Sequence, residues 1–286
     1  MATPSSNSGL TNFKPTIWSK KLQKIFDNLV VFAKLVNTDF EGDIKEGGNQ
    51  VNVRTFGNIT ISNYTRDSNI SFQSLTAPMD SMTITQQKSF AFSVDDLDAA
   101  QADINVLEGY AGRAAIAIRD VVDTHLSSHY ADIPSGNQLG TSTNPVQITK
   151  DNVYATVVKL GRIMDDNKIP ADGRNLVVDP AFKEALLLCD QFIRSTAMGD
   201  NVVTNGKVGN VNGMEVHVTT NLTTVNNGKP VMAFTRDFIS FASQVNKVEN
   251  VRPYDMFADA IKGLYLYDSH VFTNHANCAA MVWVDA

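Results

Sequence analysis

The 286 residues are 43% apolar and 19% charged, with a mean hydropathy of −0.13 and a net charge of −6. That balance excludes a disordered or membrane-embedded chain, and a chain of this length can bury about three quarters of its unfolded surface in one large domain or two smaller ones. The acidic excess argues against a dedicated nucleic-acid binder, and two cysteines, Cys189 and Cys278, are too few for a disulfide scaffold or a cysteine zinc site.

No stretch approaches the roughly 20 uncharged apolar residues of a bilayer span, and the opening run MATPSSNSGLTNFKP lacks the apolar core of a secretion signal, so a cytosolic protein without membrane association is expected. The first dozen residues offer almost nothing to bury and read as a free arm. Beyond Pro15, the apolar positions Trp18, Leu22, Ile25, Phe26, Leu29 and Ala33 share one side of a 3.6-residue period, with Lys20, Lys21 and Lys24 mostly opposite. This predicts an amphipathic helix in a segment whose charge is positive, since residues 1–40 carry five lysines against two aspartates.

From about Asp39 the period becomes two, in Val51-x-Val53-x-Thr55, Ile59-x-Ile61, Ile70-x-Phe72, Met82-x-Ile84 and Phe90-x-Phe92. The intervening residues are rich in Asn, Ser and Thr and poor in aliphatics, which fits a protruding two-stranded ribbon over 39–92 better than a folded core. Such a ribbon is marginal in water by itself and should need a neighbour. Ser93 with Asp96 has the form of a capping box, and the stripe Leu97, Ala100, Ile104, Leu107, Ala111, Ala114, Ile118, Val121 and His125 predicts one helix from there to about Tyr130, about 55 Å long.

Residues 134–148 read as a loop and Val153 to Asn167 as a helix. A turn is expected at Ile169 to Arg174, a short buried strand from Asn175 to Val178, and a proline-initiated helix from Pro180 to Phe192. Alternation in Met214-x-Val216-x-Val218 and after Val231 predicts further strands, ending in apolar ones around 264–267, 271–272 and 281–284. Strands and helices are segregated, which is the pattern of an α+β fold.

Catalytic patterns fail at their most specific residue. His125 and His129 have the i,i+4 spacing of metal ligands, but Leu126, Ser127 and Ser128 between them include no glutamate, and helix-end histidines near the negative dipole pole explain them more simply. Gly206-Lys207-Val208-Gly209 lacks the Lys-Ser/Thr ending of a phosphate loop, and there is no Gly-x-Ser-x-Gly elbow. His217, His270 and His275 fall in strand-like regions. No catalytic, cofactor-binding or metal-binding residue is therefore assigned, and no cofactor is expected.

An arm, an unhoused amphipathic helix, a long ribbon and a very long helix expose bonding capacity that other copies of the chain could satisfy. Their order resembles the HK97-like major capsid proteins of tailed double-stranded DNA bacteriophages. The strings Ile169-Pro170-Ala171-Asp172-Gly173-Arg174-Asn175-Leu176-Val177-Val178-Asp179-Pro180, Gly206-Lys207-Val208-Gly209-Asn210-Val211-Asn212-Gly213-Met214-Glu215-Val216 and Val248-Glu249-Asn250-Val251-Arg252 are similar to that family's as well. The resemblance implies an arm at 1–38, an extended loop at 39–92, a peripheral domain with a spine helix at 93–144 and 233–271, and an axial domain at 145–232 and 272–286.

It also implies self-assembly through pentamers and hexamers into an icosahedral head shell. Packaged DNA would be enclosed without sequence-specific binding, scaffolding and portal proteins would be partners, and the virion would be built in the host cytoplasm. Candidate subunit contacts are Trp18, Leu22 and Phe26 on the arm and Tyr64, Ile70 and Phe72 on the ribbon. The crosslinking Lys and Asn of some relatives have no match here. Two other readings stand beside this one: an encapsulin-type protein compartment, and a soluble α+β enzyme using His217 or His270.

Overall fold

A computed structural model describes residues 31–40, 50–54, 59–64, 66, 69, 72–74, 79–95, 106–189, 209–252, 254–255 and 257–285. The predicted amphipathic helix up to residue 30, Ile70, and most of Gly206 to Gly209 lie outside the described residues. The described part is an α+β fold with three separate sheets.

The largest sheet has six strands in the order β4-β11-β8-β5-β7-β6: Gln138–Leu139 (β4), Arg174–Val178 (β5), Asn210–Val211 (β6), Met214–Val218 (β7), Gly228–Thr235 (β8) and Ala279–Asp285 (β11). Strands β5, β8 and β11 are buried at nearly every position, so both faces of this sheet are covered and their sequences are continuously apolar rather than alternating. The helices α3 (Val153–Asp166) and α4 (Pro180–Leu187) belong to this body, and α3 buries Val153, Val157, Leu160, Ile163 and Met164, the stripe its sequence predicts. Parallel pairing of β5 with β7 is reached through a crossover that includes α4.

Local chemistry sets the turns around this sheet. Asp179 caps α4, its Oδ1 accepting the Phe182 N–H at 2.9 Å, and Pro180 sits at the first helical position. Asn212 and Gly213 have φ of 50° and 76°, the pair of positive values that a two-residue turn between β6 and β7 requires. Arg174 explains why Ile169 to Arg174 is a defined turn. Its buried guanidinium donates from Nε to the Pro170 carbonyl (2.8 Å) and from Nη2 to the Ile169 carbonyl (2.6 Å) and Asp165 Oδ1 (2.7 Å), so one side chain closes the chain from the last turn of α3 to β5.

A second sheet has the order β3-β10-β9, formed by Gln86–Asp95 (β3), Ser240–Val251 (β9) and Ala258–His270 (β10), all antiparallel. Ile261, Tyr265 and Tyr267 of β10 are buried while Lys262 and Leu264 on the other face are exposed. Gly263 stands opposite Phe90, whose ring fills the space a Cβ would need. The third sheet is the ribbon: Gln50–Arg54 (β1) pairs with Met79–Thr83 (β2) in register from Gln50↔Thr83 to Arg54↔Met79.

Several expectations are corrected. Ser93 does not open a helix: it lies in β3 opposite Ala260, and that strand runs to Asp95. The period-two run of Phe90 and Phe92 simply continues through it, and ten residues of sheet pairing outweigh a capping pattern that needs only two matching side chains. The described helix α2, Val106–Ser127, is 22 residues and therefore about 33 Å, before the chain tightens into a 3₁₀ turn at Ser128–Asp132. Residues 59–64 and 72–74 have no strand assignment. Residues 271–272 are likewise outside any strand, and His275 sits in the 3₁₀ turn Thr273–Cys278.

Removing the Arg174 side chain should leave the Ile169 and Pro170 carbonyls unpaired in the turn. Arg174→Ala is expected to destabilise the body by about 2–4 kcal/mol, read as a lower urea midpoint with an unchanged slope.

Candidate functional site

The ribbon is rooted firmly and then carries apolar side chains into solvent. At its base, Val51 of β1 and Met82 of β2 form a small buried cluster with Ala242 of β9 and Phe272, flanked by Phe40, Val53 and Ile84. Asp80 of β2 binds across to the end of β10, with Oδ1 3.0 Å from His270 Nε2 and Oδ2 accepting the Thr273 N–H at 3.1 Å. These donors hold the Asp80 carboxyl below its usual range although its partial burial acts the other way.

Beyond the paired strands, the Thr60 N–H donates to Gln73 Oε1 at 2.9 Å, so the two limbs remain side by side. Ile61 is 94% exposed and Phe72 96%, and Ile59 and Tyr64 are also open to solvent. Four large apolar side chains left in solvent between residues 59 and 72 are a concentration that isolated proteins avoid. Of the sequence candidates, Tyr64 and Phe72 are each exposed, whereas Ile70, Trp18, Leu22 and Phe26 lie outside the described residues.

The arm's last residues are built into the body. The helix α1, Phe32–Leu35, buries Phe32 and Leu35, and the Phe32 ring stacks on Phe234 of β8 at 6.2 Å with planes 4° apart. Asn37 makes a parallel bridge to Ser240, donating to the Ile239 carbonyl (2.9 Å) and accepting the Phe241 N–H (2.8 Å). The Phe32 N–H is directed to the carboxyl of Asp123 on α2, a group 1% exposed whose burial pushes its pKa up to about 6.

The spine helix is tied to β10 by its histidines. Asp268 of β10 accepts the Thr85 N–H (2.8 Å) and hydroxyl (2.7 Å) at Oδ2 and the Ser269 N–H (2.8 Å) at Oδ1, and His125 Nε2 lies 3.3 Å from Oδ1. Despite burial, these donors pull the Asp268 carboxyl down to about 2. His129 bridges Asp132 and Ser269, each at 2.6 Å. The i,i+4 histidine pair is thus a strap between helix and sheet; among the described residues no group of three metal-ligating side chains forms.

His217 lies on β7 with Glu215 at 3.8 Å, and burial lowers its pKa, while His270 is engaged with Asp80 at the ribbon root, so these two belong to different sheets. Two surfaces escaped the sequence reading. The tip between β9 and β10 exposes Tyr254 and Phe257, and a groove of about 410 Å³ lies over Gly263 between Phe90 and Leu264. The aromatic spacing of the tip was visible in sequence; the groove depends on a cross-strand register that was not.

Asp268→Asn should loosen the junction of ribbon, spine and sheet. The depressed pKa means that the stabilisation is full above the ordinary carboxyl range and is lost as the pH falls through about 4 toward 2. Wild type is expected to lose about 2 kcal/mol over that window in thermal melts relative to the variant, which should be the less stable form at pH 7.

A search of curated proteins gave no match to this chain. Solved structures match strongly in fold: a Mycobacterium phage Che8 structure is 23% identical with a TM-score of 0.71, covering 88% of this chain and 90% of the other. The capsid structure of cyanophage P-SCSP1u is 15% identical with a TM-score of 0.72 over 89% and 88% of the two chains. A virus-like particle from Pyrococcus furiosus is 12% identical with a TM-score of 0.60 over 96% and 100%. The chain thus has the HK97-like shell fold that the sequence strings suggested. The model of one family, described as phage capsid protein, matches residues 80–273, which include α2, the three-stranded sheet and most of the six-stranded sheet. By that match over more than half of its length, the chain belongs to the phage capsid protein family.

Proposed function

We propose that this chain is the major capsid protein of a tailed bacteriophage, forming pentamers and hexamers that tile an icosahedral head around packaged double-stranded DNA. The observation that carries this reading is the ribbon: Ile61 and Phe72 are almost fully exposed on a projection whose root is held by a buried cluster and by Asp80. An apolar projection on a fixed base is a contact surface waiting for a partner, and an identical copy supplies one at the required stoichiometry. Tyr64, Ile70 and Phe72 would contact the neighbouring subunit, with the Gly263 groove as an apolar seat for one ring. Trp18, Leu22 and Phe26 of the arm would form a second latch.

The division into an arm at 1–38, an extended loop at 39–92, a peripheral domain at 93–144 and 233–271, and an axial domain at 145–232 and 272–286 belongs to the same proposal. Gln86–Asp95 contributes to the peripheral sheet, which favours moving the loop boundary back to about residue 85. Scaffolding and portal proteins would be further partners, with assembly in the host cytoplasm. An acidic body fits a wall that DNA does not adhere to, while the basic arm suits an acidic docking surface. The Pyrococcus furiosus particle keeps a compartment shell in view as a second reading, since it shares the fold over its whole chain. Particles purified from infected cells decide between them: packaged genome supports the head, enclosed enzyme the compartment.

Replacing both Ile61 and Phe72 with Asp should abolish shells in electron micrographs of the overexpressed protein while circular dichroism stays unchanged. Closed shells from the double variant would remove the ribbon from the assembly contacts. Deleting residues 1–30, which leaves Phe32 and Asn37 in their sockets, should likewise yield folded capsomers or monomers and few closed shells; undiminished shell yield would show that the arm is not a latch.

A further inference from the structure

Asp123 is an anomaly in its surroundings. It lies on the side of α2 that receives α1, is 1% exposed, and its Oδ1 has no hydrogen-bond partner. We infer that Asp123 is a proton-operated clamp on the root of the N-terminal arm, holding α1 against the spine helix when its carboxyl is protonated and loosening that seam when it is ionised.

The groups around it define the sign. From its own helix come Arg119, which favours the anion, and Asp120, which opposes it. Arg119 is already committed to Asp120, with Nη2 2.7 Å and Nε 2.9 Å from Oδ1, so its charge is largely spent there. From α1 comes the Phe32 N–H, and Lys34 is the titratable side chain on that element. From the segment after β7 comes Asn221, which also donates to Asp120 at 3.1 Å. The main apolar core, which includes Val122 and Leu126 of α2 and Phe234 of β8, adjoins the seam. One neutral amide, one shared side-chain amide and a neutralised arginine do not replace the hydration a carboxylate loses on complete burial.

The docked seam therefore binds a proton more tightly than the detached one, in which Asp123 is an ordinary solvated carboxylate. Docking is unaffected below pH 4, weakens as the pH rises from about 4 to 6, and is weakest above about 6, where both states are ionised. A shift from 3.8 to about 6 corresponds to a change on the order of a hundredfold in the docking equilibrium, of which about tenfold falls above pH 5. The clamp acts within one copy of the chain. Its consequence, an arm root that is firmer in acid and looser near neutrality, rests on the reading of residues 1–38 as an inter-subunit arm.

Hydrogen exchange of the full chain tests it, following the amides of 32–37 at pH 5 and 7.5 with correction for intrinsic exchange. Protection in the wild type should fall about tenfold between the two, while Asp123→Asn, which keeps the acceptor for Phe32 but cannot ionise, should show constant protection and exceed the wild type at pH 7.5. Equal pH dependence in both proteins would overturn the clamp. A carbon-13 titration of the Asp123 carboxyl in the wild type needs no variant: a midpoint near 6 supports the proposal and one near 4 refutes it. If the deletion of residues 1–30 leaves shells intact but this titration holds, the arm's assembly role fails and the clamp stands.

Discussion

The carboxylate of Asp268 is the point on which the arrangement of spine, ribbon and sheet depends. Three elements reach it: the strand that carries it, the Thr85 step between β2 and β3, and His125 of the spine helix. A buried charge is tolerable only when its lone pairs are filled, and here they are filled by donors from segments far apart in sequence. A shift of the Thr85 step would take away both donors to Oδ2. The strand β10 thus joins β3, β9 and the spine helix into one rigid unit, to which the ribbon attaches through Asp80 and His270 at its end. This differs from the seam at Asp123, where the partners are too few, and the two carboxyls are displaced in opposite directions for that reason.

Much of this fold was legible in the sequence because its signals are local and periodic. The stripe Val153, Val157, Leu160, Ile163 and Met164 gave α3 directly, and Pro180 marked the start of α4. The string from Ile169 to Arg174, legible as a turn, contains a complete hydrogen-bonded loop. What was not legible depends on pairing between distant segments. Phe90 and Phe92 looked like the end of the ribbon because alternation says that a strand exists and not which strand it joins; their partner, β10, lies some 170 residues away. Ser93 misled for a related reason, since a capping pattern is judged from four residues and a sheet from two whole strands.

The contact surface was legible only in part. Tyr64 and Phe72 stood out as apolar residues in a polar, aliphatic-poor stretch, and their exposure fits the contact role suggested by that composition. Phe32 and Asp123 did not, because an aromatic at the end of an amphipathic stripe and an aspartate in a helix are each unremarkable until the two are found touching. Membership of the phage capsid protein family identifies the chain as a structural protein of the virion shell, and the geometry of His125 and His129 shows them bracing helix against sheet.

The ribbon's foot has its own small apolar cluster, Val51, Met82, Ala242 and Phe272, separate from the main core. A load applied at the far end of the ribbon is therefore delivered first to these four side chains and to the Asp80–Thr273 hydrogen bonds, before it reaches the six-stranded body.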